Sequence, residues 1–516
     1  IKGKVLVEYN NFDNKGTATK FIFNQDQDGK WSPEGIKVER SAIPIRSTVF
    51  FENLVNPQMR TEEVTTAQQV EDVPSNMVLT GNEEVVKGEN MPTVAFKKDK
   101  KSDEQKYNDD YSFEDMMNTS HNRTSAVVTL AEKLSNGEML VVEEDKETKQ
   151  KYKVKVRLPY INKAAFKKIT KLKKDIAEIK GDSEQAKKLK AKYNRQLNDI
   201  VKSVLNDFRI VMGQNILALY DSLTEDFVSR SKEWYVGANR MANNIAKAYD
   251  ISLEQMSGII AVLSPQNDWF NNVSLAERTV EVLSKHSDTI VSQDIFDKAM
   301  KINSTNKKSQ FSPLLQAVYD KYGNISINDM QAIGATLDEQ SIYLRAIDQA
   351  LYSNKVVITS PSGKYLGIDT TPVRWASSAM ISSAISIYRD GTSENINVNL
   401  GNGNKVRNFY NNIADPNSKT PYVTADTHAL SVAMNLPVSA KVASEFKLFG
   451  GGNNPLYALV KTAYIDAANI AGVMPREMQS VTWEAQRTGV NDKNRTKEQK
   501  EKNFALVEKL RENEQT

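Results

Sequence analysis

The 516-residue sequence contains no cysteine and only three histidines, His121, His286 and His428. The absence of thiols excludes disulfide scaffolds, thiolate zinc sites, iron–sulfur clusters and cysteine nucleophiles. Three scattered histidines also leave little for a histidine-rich metal centre. The composition therefore predicts a protein without a metal or thiol-bound cofactor.

Long apolar runs are missing as well. No stretch approaches the length of about 18 apolar residues that a membrane-spanning helix requires, and no signal-peptide pattern opens the chain. With 40% hydrophobic and 26% charged residues, the composition is typical of a globular chain of two to four domains. We expect no membrane span, and a location in a cytoplasm or inside a particle.

The net charge of +3 conceals a strong segregation of charge along the chain. Residues 61–120 carry 14 acidic and 6 basic side chains, whereas residues 151–200 carry 16 basic and 5 acidic ones. This separation favours a basic part that meets a polyanion and an acidic part that acts as a solvated spacer. The alternative for the basic part is an ordinary solvated helix face.

Changes in composition and periodicity divide the chain into five segments. Alternating apolar residues near the start predict strands, and helical periodicity dominates the second half. The predicted segments are a β-rich N-terminal unit (1–60), an extended acidic arm (61–120), a β-hairpin followed by basic helices that break at Gly181 (121–204), a helical domain (205–490) and a charged helical tail (491–516).

The first motif of the helical domain is an abrupt helix end. A helix through residues 258–263 stops at Ser264, because the following Pro265 disfavours helical geometry in the residue before it. Gln266, Asn267 and Trp269 come next and are typical of a loop that probes a partner. The alternative is an asparagine-capped corner between two helices, with Trp269 in the core.

Two further motifs place polar groups at helix starts. Gly401 and Gly403 form a Gly-x-Gly turn before a helix predicted from Val406, and exposed N–H groups at such a turn suit a phosphate. Asp426 begins another helix, where a carboxylate is either a simple N-cap or a charge held near a reacting cationic centre.

Together these segments resemble the helix-hairpin-helix DNA glycosylases of the endonuclease III group. Residues 260–268 are similar to the family's helix and glutamine loop, Gly401-x-Gly403-x-Lys405 to its hairpin, and residues 423–428 to its strand-to-helix aspartate element. The resemblance extends over residues 230–480. It implies a mainly α fold with an all-helical, glycosylase-like domain at residues 205–490.

The resemblance also implies roles for individual residues. Gln266 would fill the gap left by a flipped-out nucleotide, and Asp426 would stabilise the oxocarbenium-like sugar. Lys405 would be the Schiff-base nucleophile of a lyase, or else a phosphate contact. The remaining DNA-binding candidates are Asn267, Trp269, Gly401, Gly403 and His428.

The predicted function is that of a DNA-binding protein related to base-excision glycosylases and AP lyases. No iron–sulfur cluster is possible without cysteine, although the resemblance would allow a monovalent cation at the hairpin. Residues 474–485 also resemble a closing signature of bacteriophage proteins, which predicts a phage origin and a location in the virion or the host cytoplasm. The alternative is a virion or cargo protein with an inactive core, packaged or ejected with DNA, that contacts other virion proteins through residues 1–204.

Overall fold

The computed structural model describes most of the chain from residue 112 to residue 488. The described residues are 112–118, 126–144, 151–158, 160–304, 310–352, 356–360, 362–369, 373–436, 438, 440–446, 448 and 454–488, preceded by four short strands. Most of the predicted acidic arm and all of the predicted tail at 491–516 lie outside the described residues.

The strands before residue 112 are β1 (Lys4–Asn10), β2 (Ala18–Gln25), β3 (Trp31–Pro33) and β4 (Thr61–Glu63). The first three form an antiparallel sheet in the order β1-β2-β3, in which Lys4 pairs with Asn24 and Asn10 with Ala18. The strand alternation in residues 1–60 thus corresponds to a real sheet.

A second sheet contains the β-hairpin that was predicted within the segment 121–204. Strands β5 (Glu138–Glu144) and β6 (Lys151–Arg157) pair in antiparallel register, and β4 adds to the other side of β6. The prediction of this hairpin is confirmed.

The contacts between residues divide the chain into two compact units. Of the described residues, unit 1 contains strands β1 to β4 and those in 110–232 and 423–488, and unit 2 contains those in 233–422. The domain boundaries predicted above remain predictions, and the contacts group the chain differently.

Unit 1 is built around one long helix. Its helices are α1 (Phe113–Asn118), α2 (Ala126–Asn136), α3 (Lys163–Glu178), α4 (Glu184–Asp221), α5 (Glu225–Lys232), α16 (Thr427–Met434), α17 (Ala440–Glu445), α18 (Pro455–Ala471) and α19 (Pro475–Thr488).

Helix α4 begins where Ser183 caps it and runs without a break across the predicted boundary at residue 204. Its C-terminal half is buried against α2, α16 and α18. Gly213 faces the backbone of α18, and the lack of a side chain there permits this close approach. The core side chains of this half include Val201, Val204, Leu205, Phe208, Met212, Ile216 and Leu217.

Unit 2 contains the helices α6 (Trp234–Ala248), α7 (Leu253–Val262), α8 (Trp269–Lys285), α9 (Gln293–Asn303), α10 (Phe311–Tyr322), α11 (Ile327–Ala332), α12 (Leu337–Leu351), α13 (Ser378–Arg389), α14 (Ser393–Leu400) and α15 (Asn404–Ala414). Capping boxes begin three of these helices, at Ser252, Ser326 and Thr336, because each hydroxyl and its partner side chain satisfy two free N–H groups.

A β-hairpin interrupts the helices of unit 2. Strands β7 (Val356–Thr359) and β8 (Tyr365–Asp369) pair in antiparallel register with an irregularity at Ile358. The expectation of an all-helical domain is therefore wrong at this point, because the β-branched run 356–359 favours a strand. The mainly helical character of the described chain is confirmed.

Within the ranges that the structure describes, no helix combines the length and apolarity needed to cross a bilayer.

Candidate functional site

Asp426 lies at the N-terminus of α16, and hydrogen bonds fix both of its carboxylate oxygens. The backbone N–H of Ala429 donates to Oδ1 at 2.9 Å, and the indole Nε1–H of Trp483 donates to Oδ2 at 3.0 Å. The residue is half-buried. Asp426 is thus an N-cap, as the simpler interpretation predicts, and its carboxylate also has a fixed orientation.

Tyr457 of α18 holds the segment that leads to Asp426. Its hydroxyl donates to the carbonyl of Val423 at 2.7 Å and accepts from the N–H of Ala425 at 3.2 Å. Tyr457 is buried, so water does not compete for these bonds. The extended residues before Asp426 are therefore held at two backbone groups, which sets the position of the carboxylate.

Trp483 connects Asp426 with two further side chains. The ring of His428 meets the indole edge-on at a centroid distance of 6.3 Å, and the guanidinium of Arg487 lies 5.1 Å from the indole centroid. All four residues are half-buried. They form a cluster with one fixed anion, one cation and two rings, which we call the Asp426 cluster.

A buried ion pair anchors the helix that carries Trp483. Arg230 of α5 and Glu484 of α19 approach to 3.2 Å, with side chains only 6% and 7% exposed. Burial raises the pKa of the Glu484 carboxyl, and the neighbouring Arg230 charge opposes that rise. The hydroxyl of Ser480 also donates to the carbonyl of Ser231 at 2.9 Å. These contacts fix α19 against α5.

In unit 2, the predicted glutamine loop is a tight corner between α7 and α8. Gln266 is exposed and has a φ of +62°, a left-handed conformation that is costly for residues other than glycine. Asn267 donates to the carbonyl of Leu263 at 2.8 Å and so caps the end of α7, while Asp268 caps the start of α8. Asn267 therefore caps a helix end, as the alternative of an asparagine-capped corner predicts. Gln266 is exposed to solvent.

Trp269 lies in the core of unit 2. Its indole packs 5.5 Å from that of Trp234 and 6.4 Å from the ring of Phe409, and its N–H donates to the hydroxyl of Thr359 at 3.3 Å. The residue is 7% exposed. This burial favours the core role over stacking on a base.

The Gly-x-Gly turn joins α14 to α15 through three residues. Gly401 has a φ of +61°, and its N–H donates a hydrogen bond to the carbonyl of Val398 at 3.1 Å. The buried Arg407 donates to the carbonyl of Gly401 at 2.5 Å and so holds the turn. Helix α15 begins at Asn404, two residues earlier than predicted, which places the half-buried Lys405 in its first turn and Gly403 at its N-cap.

The predicted site residues are distributed over the two units. Asp426 and His428 belong to unit 1, and unit 2 holds Gln266, Asn267, Trp269, Gly401, Gly403 and Lys405. Convergence of the two sets on one nucleotide remains a prediction. In the described part of the chain, no group of three or more His, Asp or Glu side chains is arranged to hold a metal ion.

Two residues that position Asp426, Trp483 and Tyr457, were not predicted from the sequence. Trp483 lies in the stretch 474–485 that resembles a closing signature of bacteriophage proteins, so the sequence did mark this segment. The role of Tyr457 could not be predicted from the sequence, because its hydrogen bonds to Val423 and Ala425 join residues more than 30 positions apart.

No curated protein matches the chain, and no solved structure matches it. The chain is similar to a family of unknown function (DUF7178), whose model matches residues 200–333 and 376–490.

Proposed function

We propose that this chain is a DNA-binding protein that carries out base excision of the glycosylase type, with Asp426 as the charge-stabilising carboxylate. The observation that supports this proposal best is the fixed orientation of Asp426 by the N–H groups of Ala429 and Trp483. Loss of a base leaves positive charge on the sugar, and a carboxylate that is already oriented stabilises this charge without reorganising.

The glutamine loop supports the same proposal. The target bond is inaccessible in a stacked duplex, so the nucleotide has to leave the stack, which costs a few kcal/mol. Gln266 is exposed at a sharp corner, where a side chain can enter the space that the nucleotide leaves. Lys405, in the first turn of α15, is the proposed nucleophile for a subsequent lyase step.

An excision assay on duplex oligonucleotides with a panel of damaged bases tests the role of Asp426. The Asp426→Asn variant keeps an oxygen that can cap α16 but removes the negative charge. We expect the excision rate to fall by roughly 100-fold or more, the size of effect found for one electrostatic group in other active sites. Asp320→Asn, the same substitution at an exposed position of α10, should leave the rate unchanged.

Equal rates in the wild type and Asp426→Asn would remove Asp426 from the chemistry. Binding of the duplex with no excision of any base in the panel would favour the alternative function, a packaged DNA-binding protein with an inactive core.

A further inference from the structure

Residues 163–200 form a helical hairpin whose tip projects from the core of unit 1; we call it the basic hairpin. It consists of α3, the turn at Gly181 and the first part of α4. On one side of α3, Ile169 and Leu172 are buried in the core of unit 1. From residue 181 to residue 196, by contrast, every side chain is exposed or half-buried. The tip therefore presents its surface to solvent on most sides.

The basic hairpin carries more cations than its own carboxylates neutralise. It contains 12 basic and 5 acidic residues. Four lysines make ion pairs: Lys163 with Glu138, Lys173 with Glu132, Lys174 with Glu178 and Lys188 with Glu184. The remaining eight make no ion pair with any residue that the structure describes, and they are Lys167, Lys168, Lys171, Lys180, Lys187, Lys190, Lys192 and Arg195.

The surface of the basic hairpin distinguishes between possible partners. Among the described residues of the basic hairpin, Leu189 is the one large apolar side chain that is well exposed, at 41%. A helix that lies on a membrane needs an apolar face, and a protein interface needs buried aromatic or apolar anchors. A nucleic acid needs neither, because its regularly spaced phosphates bind cations directly.

The spacing of the cations also fits a phosphate backbone. At about 1.5 Å of rise per residue, the stretch from Lys187 to Arg195 covers about 12 Å of α4. Phosphates of one strand follow each other at about 3.4 Å along the axis of a duplex, so this stretch spans three to four of them. We propose that the basic hairpin binds the phosphate backbone of duplex DNA without regard to sequence.

This inference deepens the proposed function but concerns a separate surface. It rests on the proposed function only in naming DNA as the polyanion. The basic hairpin ends at residue 200, where the match to the family model begins, so almost all of it lies outside the matched region. Loss of backbone binding and loss of excision chemistry can therefore be measured independently.

The test is the salt dependence of binding to an undamaged 20-base-pair duplex, followed by fluorescence anisotropy. The variant replaces Lys187, Lys190 and Lys192 with Gln, and the matched control replaces Lys247, Lys301 and Lys419, which are exposed lysines of unit 2. Both triple variants have the same net charge. Each lysine that contacts a phosphate contributes about 0.9 to the slope of log K against log salt, so the slope should become shallower by about 0.9 to 2.7 in the hairpin variant. Its affinity at low salt should fall at least tenfold, and the control should stay within twofold of the wild type.

Three results would overturn the inference. The first is an affinity of the wild type that does not change with salt, and the second is equal weakening in both triple variants. The third is displacement of the duplex by polyglutamate at an equal concentration of charge, which would indicate an acidic protein as the partner. Binding is measured on an undamaged duplex from which no base is excised, so a negative result in the excision assay leaves this result intact.

Discussion

At the scale of single residues, Asp348 places a carboxyl group in the core of unit 2. Its side chain is fully buried, and one oxygen accepts a hydrogen bond from Nε of Arg278 at 2.7 Å. Burial raises the pKa of the carboxyl to about 6, against the lowering effect of Arg278 and, at longer range, Arg345. Glu281 adds a smaller rise. Burial between α8 and α12 therefore makes the charged form of this carboxyl less favourable than it is in water, although Arg278 partly offsets that cost.

This raised pKa predicts how stability changes with pH. The folded protein binds a proton at Asp348 near pH 6, whereas an unfolded chain does so near pH 3.9. The free energy of unfolding should therefore rise as the pH falls from about 6 to 4, by on the order of 3 kcal/mol from this group. Above pH 7 this contribution is flat.

Chemical denaturation of the wild type and Asp348→Asn at pH 7, 6, 5 and 4 measures this effect, because the variant lacks the titrating group. The wild type should gain stability relative to the variant as the pH falls. The control is Asp294→Asn, at a side chain that is 71% exposed. The stability difference between the wild type and this control variant should not change as the pH falls. Parallel pH profiles for the wild type and Asp348→Asn would contradict the assignment.

At the scale of elements, a glycine allows the β7–β8 hairpin to approach α6. Gly363 has a φ of +80°, and a Cβ at this position would lie 2.6 Å from the carbonyl oxygen of Gly237. Arg240 of α6 also donates to the carbonyl of Ser362 at 2.6 Å. The turn and the helix therefore meet through backbone atoms, which cannot move aside as a flexible side chain can.

Gly363→Ala should consequently destabilise the protein more than the same change at Gly334. Both glycines have a positive φ, but a Cβ at Gly334 has no atom within 4 Å. Both variants carry the cost of a left-handed alanine, about 1–2 kcal/mol. Only Gly363→Ala adds the steric clash, for which we expect a further 1–3 kcal/mol or so. Denaturant titrations compare the two, and equal losses would show that the contact with Gly237 is relieved at no cost.

Elements were predictable where a local signal defines them. Pro265 ends α7, the glycine turn separates α3 from α4, and alternating residues mark β5 and β6. The full extent of α4 was not predictable, because its later residues are stabilised by packing on α16 and α18, which are more than 200 positions away. Similarly, the bond between Trp483 and Asp426 depends on where two distant helices meet.

At the scale of the whole molecule, the two units differ in how the chain builds them. Among the described residues, those of unit 2 all lie between 233 and 422, whereas unit 1 combines residues before 233 with residues after 422. Helix α4 has Met212 and Ile216 completely buried. Since α4 packs against α16 and α18, the later stretch supplies much of the surface that covers them.

This arrangement predicts different behaviour for two fragments. Residues 233–422 alone should unfold cooperatively in denaturant, because their core lies within the fragment. Residues 110–232 alone should unfold without a cooperative transition, because exposing each large apolar side chain of α4 costs about 1.5–3 kcal/mol. Circular dichroism at 222 nm as a function of urea follows both fragments. A cooperative transition for residues 110–232 at the midpoint seen for unit 1 in the full chain would show that the later segment adds little to that core, and the assignment of residues 423–488 to unit 1 would then fail.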